Sequence, residues 1–263
     1  MKCIGLIGGI GWESTSRYYR LINEELRNRL GGVRTARIVL DSIEFSSLES
    51  LVSSGQWNEA GAVLADSARR LENAGADCVV LCSNQMHFVA GHITDAVKIP
   101  LLHVGAAIGE VIRGTRVDVG LLGTRFTMEH DFLIARQPVR AGRGQRRIHT
   151  PPAADCDRLD AIIYREICRG SVRAESGTEL LRMANELYQR GAKFVILVSS
   201  ELGLVINPRF APDWLYDSTE LHSAAAVQWA LGETKSRRDF SHVALTAEPG
   251  ARMVKRSKAD ATE

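Results

Sequence analysis

The chain has 263 residues, 45% of them hydrophobic and 24% charged, with a formal net charge of +2. That length buries a core of one large or two small domains, and the balance is ordinary for a soluble globular protein. So small a charge argues against nucleic acid or an acidic membrane surface as partner, and no apolar run is long enough to span a bilayer. The opening Met1-Lys2-Cys3-Ile4-Gly5-Leu6-Ile7-Gly8-Gly9 lacks the long apolar region and small-residue cleavage site of a signal peptide. It reads as a first strand, and the expected location is cytoplasmic. The cysteines are Cys3, Cys78, Cys82, Cys156 and Cys168. They are odd in number and contain no C-x-x-C pair, so neither a disulfide framework nor a metal site is expected.

From the N-terminus on, short apolar runs alternate with longer amphipathic ones. Strands are expected at Cys3–Ile7, Arg37–Leu40, Cys78–Leu81, Leu101–Val104, Val117–Leu122, Arg147–His149 and Phe194–Val198. Several are continuously apolar, as strands covered on both faces should be. Helices are expected at Ser14–Leu30, with Tyr19, Ile22, Leu26 and Leu30 on one face, and at Trp57–Asn73, His87–Val97, Thr127–Arg136, Asp157–Arg169, Glu175–Arg190 and Thr219–Leu231. This alternation predicts an α/β protein with parallel sheets. Cys78 and Cys82, four apart, face the same way if their stretch stays extended.

Two segments repeat. Gly75-Ala76-Asp77-Cys78-Val79-Val80-Leu81-Cys82-Ser83-Asn84 and Gly191-Ala192-Lys193-Phe194-Val195-Ile196-Leu197-Val198-Ser199-Ser200-Glu201 each run Gly-Ala, apolar strand, small polar residues. A duplicated lobe with both strand ends facing one cleft would produce this. Ligands collect at the carboxyl ends of parallel strands, so the chemistry is sought at Cys82 and Ser199.

The glycine-rich turn Gly8-Gly9-Ile10-Gly11-Trp12-Glu13-Ser14 sits where a dinucleotide fingerprint would. Its frame is wrong: Ser14 stands where glycine aids helix–strand packing, and Trp12 and Glu13 put bulk and negative charge where a pyrophosphate would approach. Backbone N–H groups of such a turn, at Gly9, suit a substrate carboxylate better.

Five motifs, in order, resemble those of the aspartate/glutamate racemases. They are Ile4–Gly9 with Trp12-Glu13-Ser14-Thr15 and Tyr18-Tyr19, then Cys82-Ser83-Asn84-Gln85-Met86-His87, then Gly120–Glu129, then Ser200-Glu201-Leu202-Gly203-Leu204, and finally Tyr216–His222. The resemblance implies two similar lobes of parallel sheet flanked by helices, related by a pseudo-twofold axis. Residues 1–104 with 215–232 would form the N-terminal lobe and 105–214 the C-terminal lobe, with 233–263 a flexible, basic tail. It implies an active site between the lobes and no pyridoxal phosphate or other cofactor. Its substrate would be a small acidic amino acid or related carboxylate, and a homodimer would be in keeping with it. Inversion at an α-carbon needs a base on each face, and thiols serve because their pKa of about 8.5 is readily lowered. By resemblance Cys82 is the first base. Ser83, Asn84, Gln85, Thr124, Thr127, Ser200 and Glu201 match positions that hold substrate and stabilise enediolate-like charge.

The chain departs from the family pattern where a Gly-Cys-Thr-Glu motif is usual, with Val198-Ser199-Ser200-Glu201 instead. The second base falls on Ser199, whose hydroxyl needs activation to serve. Glu201 could activate a water or orient Ser199, and His87 could lower the Cys82 pKa. Arg125, Arg165, Arg169 and Arg173 are candidates to pair a side-chain carboxylate. Three readings stay open: an amino acid racemase, a single-cysteine decarboxylase or isomerase of the same superfamily, and a carboxylate-binding protein without turnover.

Overall fold

The computed structural model describes residues 1–112, 117–130, 132–134, 147–206 and 212–233. Strands β1 (Ile4–Gly8), β2 (Ile38–Ser42), β3 (Cys78–Leu81) and β4 (Leu101–Leu102) form one sheet in the order β2-β1-β3-β4. Strands β5 (Val119–Leu122), β6 (Ile148–His149), β7 (Phe194–Leu197) and β8 (Leu215–Asp217) form a second in the order β6-β5-β7-β8. Every pairing is parallel. The lobes therefore repeat one topology, with β1 equivalent to β5 and β3 to β7.

The repeat extends to single hydrogen bonds. Asp77 N donates to Cys3 O at 2.8 Å as Lys193 N does to Asp118 O at 2.8 Å, and Cys82 N donates to Ile7 O at 2.9 Å as Val198 N does to Leu122 O at 2.7 Å. Cys82 is thus the counterpart of Val198, and Ser83 the counterpart of Ser199.

The helices are α1 (Trp12–Leu30), α2 (Phe45–Ser53), α3 (Trp57–Asn73), α4 (Ala90–Ala96), α5 (Val104–Ile112), α6 (Arg125–Glu129), α7 (Ala153–Asp160), α8 (Ala174–Gln189) and α9 (Ser218–Ala230). They cover both faces of the sheets, and side chains alternate between the faces with period two. Val79 and Leu81 enter the core beneath α3 and α4 with Leu64, Leu71 and Ile93. Cys78, Val80 and Cys82 enter the opposite core with Tyr18, Ile22, Leu26 and Val227 of α1 and α9.

Some expectations are corrected. The buried face of α1 carries Tyr18, not Tyr19, which is exposed, as is Leu30. Helix α2 comes from a Ser-rich stretch and is capped by Glu44, whose carboxylate accepts from the N–H groups of Ser46 and Ser47. Two glycines and burial of nearly every residue hide α5 from an amphipathic pattern. The helix expected from Asp157 begins at Ala153 and turns π-helical over Ala161–Glu166, then 3-10 over Ile167–Arg169. The helix expected at His87–Val97 is a 3-10 turn, Gln85–Val89, followed by α4. That expected at Thr127–Arg136 is α6 alone, its end lying outside the described residues. Residues 215–217, expected in the N-terminal lobe with the rest of 215–232, instead form β8, which pairs with β7 in the second sheet, and α9 starts at Ser218. The basic tail from residue 234 lies outside the described residues. Among the described residues no helix is long and apolar enough to cross a membrane.

Several contacts join the lobes. Trp57 stacks on Phe126 with ring centroids 4.7 Å apart, flanked by Phe88. Elsewhere Arg17 of α1 forms a buried ion pair with Asp217 at 2.7 Å, and Asp217 also caps α9 by accepting from Thr219 N.

Candidate active site

A cavity of about 340 Å³ lies between the lobes, at the carboxyl ends of β3, β5 and β7. Its size is that of a small-molecule site, and its placement follows the rule for parallel sheets. Ser83, Asn84 and Gln85 line it from the first lobe, and Thr124, Thr127, Ser199 and Glu201 from the second. Seven of the positions expected from sequence are thereby brought together.

Cys82 is not on that wall. It is fully buried, on the α1/α9 face of its sheet, and burial pushes its thiol pKa well up. The cause is the strand period: Cys78, Val80 and Cys82 share one face, and the chain turns toward the cavity only at the next residue. The first-lobe residue equivalent to Ser199 is Ser83, and both line the cavity. Gly9 is also displaced from its expected role. Its φ is +79°, and a Cβ there would lie 2.0 Å from the Ile43 carbonyl oxygen, so glycine is required by close backbone approach. Its N–H already donates to the Thr15 hydroxyl at 2.9 Å, and Gly9 does not line the cavity. Ser200 is buried and off the wall, donating to Glu201 at 3.2 Å.

Glu201 is the polar centre of the site. Its carboxylate accepts from Ser199 at 2.6 Å, from Ser14 of α1 at 2.9 Å and from Ser200. The Ser199 hydroxyl thus sits between a carboxylate and the cavity, the arrangement that activates a weak nucleophile or base. Among the described residues Ser83 has no such carboxylate partner. Asn84 donates to Ser218 at 2.8 Å, but its buried Oδ1 has no hydrogen-bond partner. A buried acceptor without a partner is costly in a closed structure.

The remaining polar wall is a tied network. The Thr124 hydroxyl caps α6 by accepting from Thr127 N and shares a hydrogen bond with the Thr127 hydroxyl at 2.8 Å. Gln85 Oε1 accepts from Tyr164 at 2.8 Å. Tyr164 and Cys168 come from the π- and 3-10-helical segment after α7, and neither was expected from sequence. Burial, then Glu201, pushes the Cys168 thiol up to about 12, so it stays protonated. Phe45, Leu48, Glu49 and Val52 add one face of α2 to the wall. Their i, i+3, i+4, i+7 spacing was readable in the sequence.

His87 holds the loop rather than acidifying a thiol. Its Nδ1–H donates to the Ser83 carbonyl at 2.7 Å, and its Nε2 accepts from Val104 N at 3.3 Å. His222 donates from Nε2 to Leu102 O at 2.7 Å and accepts at Nδ1 from Tyr18. Both rings need the neutral form, and burial drives the pKa of His87 well below 6.5 and that of His222 to about 4. Depressed histidines contribute stability that is complete above the unfolded pKa of about 6.5 and is lost as pH falls below it. For His222 the loss should be about 2 kcal/mol by about pH 5, and His87 adds to it in the same direction. Urea unfolding compared at about pH 7 and pH 5 checks this; an unchanged midpoint and slope would contradict it.

None of Arg125, Arg165, Arg169 and Arg173 lines the cavity. Arg125 is turned to Asp157, Glu129 and the Ala153 carbonyl.

The chain matches the family model for Asp/Glu/hydantoin racemases over residues 7–226. It is 38% identical to a candidate Asp/Glu racemase from Yersinia pestis, with a TM-score of 0.76, covering 88% of this chain and 100% of that one. It is 28% identical to an aspartate racemase homologue from Pyrococcus horikoshii OT3, with a TM-score of 0.73 and the same coverages, 88% and 100%. The Picrophilus torridus aspartate racemase shares the fold, with a TM-score of 0.64 at 16% identity over 93% of this chain and 100% of that one. With its two parallel lobes, the cavity between them and a family match spanning both, the chain belongs to the Asp/Glu/hydantoin racemase family.

Proposed function

We propose that this protein is an isomerase-type enzyme that exchanges the α-proton of a small α-amino acid, with Ser199 and Glu201 on one face of the α-carbon and Ser83 on the other. The observation that carries this reading is the Ser199–Glu201 hydrogen bond of 2.6 Å on the cavity wall, opposite the equivalent Ser83. The Cα–H bond breaks and its proton passes to Glu201, through Ser199 as it gives up its own proton to the carboxylate. The electron pair enters the substrate carboxylate as an enediolate, held by the neutral donors of the wall. Return of a proton from Glu201 restores the starting enantiomer; delivery from the Ser83 hydroxyl inverts it, after which Ser83 takes a proton from water and Glu201 releases the one it accepted. Since Ser83 lacks a carboxylate partner, exchange with retention should outpace inversion. Incubation with amino acids in D2O, followed by NMR, tests the reading: α-deuteration that depends on Glu201 supports it, and none at any amino acid rejects it. A second reading, a binding protein without turnover, draws on the lack of a thiol at both Ser83 and Ser199.

A further inference from the structure

The resemblance leads one to expect an acidic substrate, but the wall of this cavity has a different chemistry. Helix α2 presents Phe45, Leu48 and Val52 to it, and Met86 and Ile163 add apolar surface. The charged groups on the wall are two carboxylates, Glu49 of α2 and Glu201. Among the described residues no arginine or lysine lines it, and the guanidinium of Arg125 is occupied by Asp157 and Glu129.

A substrate with a second carboxylate would enter with that group beside like charge and apolar surface. Desolvation without a cationic partner and repulsion from Glu49 and Glu201 both oppose this. An uncharged apolar side chain instead gains by leaving water for the α2 face. The carboxylates on the wall, Glu49 and Glu201, suit the ammonium group that every α-amino acid carries. We infer that the substrate is an α-amino acid with an uncharged, apolar side chain of leucine or methionine size, selected by Phe45, Leu48 and Val52 and screened against acids by Glu49. This rests on the proposed α-proton chemistry only for the word substrate; the selectivity of binding stands apart from it.

The test measures equilibrium binding by calorimetry for both enantiomers of leucine, methionine, aspartate and glutamate. Parallel α-deuteration in D2O follows the same compounds. The expected result is binding of leucine or methionine at least about tenfold tighter than aspartate or glutamate, with deuteration in the same order. Glu49→Arg, an exposed position, should narrow that ratio several-fold by improving the acids. Equal or tighter binding of the acids by the wild type, binding of neither class, or no shift in Glu49→Arg would overturn the inference. Apolar preference without deuteration would uphold it while removing the proposed reaction.

Discussion

Glu201→Gln is expected to lower α-proton exchange by about 100- to 10,000-fold, the range that a positioned base contributes. The amide is nearly the same size; Ser14 and Ser200 donate to one oxygen of Glu201 and Ser199 to the other, so the amide oxygen keeps one side as acceptor while its NH2 donates to a hydroxyl rotated on the other. The fold and the shape of the cavity should therefore persist. What is lost is the group that takes the Ser199 proton, without which that hydroxyl is a poor base. Initial deuteration rates under saturating substrate, with binding measured alongside, separate loss of chemistry from loss of affinity. A variant that exchanges within about twofold of wild type would remove Glu201 from the chemistry, since the expected loss starts near 100-fold.

Arg17→Met should produce the largest loss of stability. Arg17 and Asp217 face each other at 2.7 Å, with side chains 2% and 1% exposed. Removing one partner strands the other charge away from water, which costs about 3–5 kcal/mol. The pair also ties α1 to the strand that ends the second lobe, so the lobes' registration depends on it. Arg17→Met combined with Asp217→Asn should recover part of the loss, because asparagine leaves no buried charge and still caps α9. Urea unfolding of the two variants checks this. A single variant less than about 1 kcal/mol below wild type would mean that solvent reaches the pair, for exposed pairs contribute no more than that.

The architecture was legible because parallel strands covered on both faces are written as unbroken apolar runs. Among the described residues seven of the eight strands were expected, several of them from such runs, whereas β8, three residues long, offers too little pattern. The duplication was legible too. Gly75 against Gly191 sets a register in which Ser83 falls on Ser199. The thiol of Cys82 drew the chemistry one residue away from that register. The spacing of Cys78 and Cys82 already implied a shared face, and that face is the one α1 and α9 cover. Helix α2 was missed because Glu44 caps it in place of the usual short polar residue, although Phe45, Leu48 and Val52 carry the helical period. Tyr164 and Cys168 reach the cavity through a π-helical turn, and a 3.6-residue period does not reveal that winding. The charge of the cavity was beyond the sequence altogether, since where Glu49 and Arg125 point is decided by packing between distant elements.

The central claim is that the strand-end serines, not Cys82, face the substrate. Deuteration and inversion rates of Cys82→Ala and Ser83→Ala, measured side by side in D2O, test it most directly. The account predicts that Cys82→Ala keeps both rates within about twofold of wild type and loses about 1 kcal/mol of stability, as a small core truncation does. It predicts that Ser83→Ala loses inversion by about 100-fold or more while deuteration with retention continues. Loss of both rates in a folded Cys82→Ala, with Ser83→Ala unaffected, would contradict it.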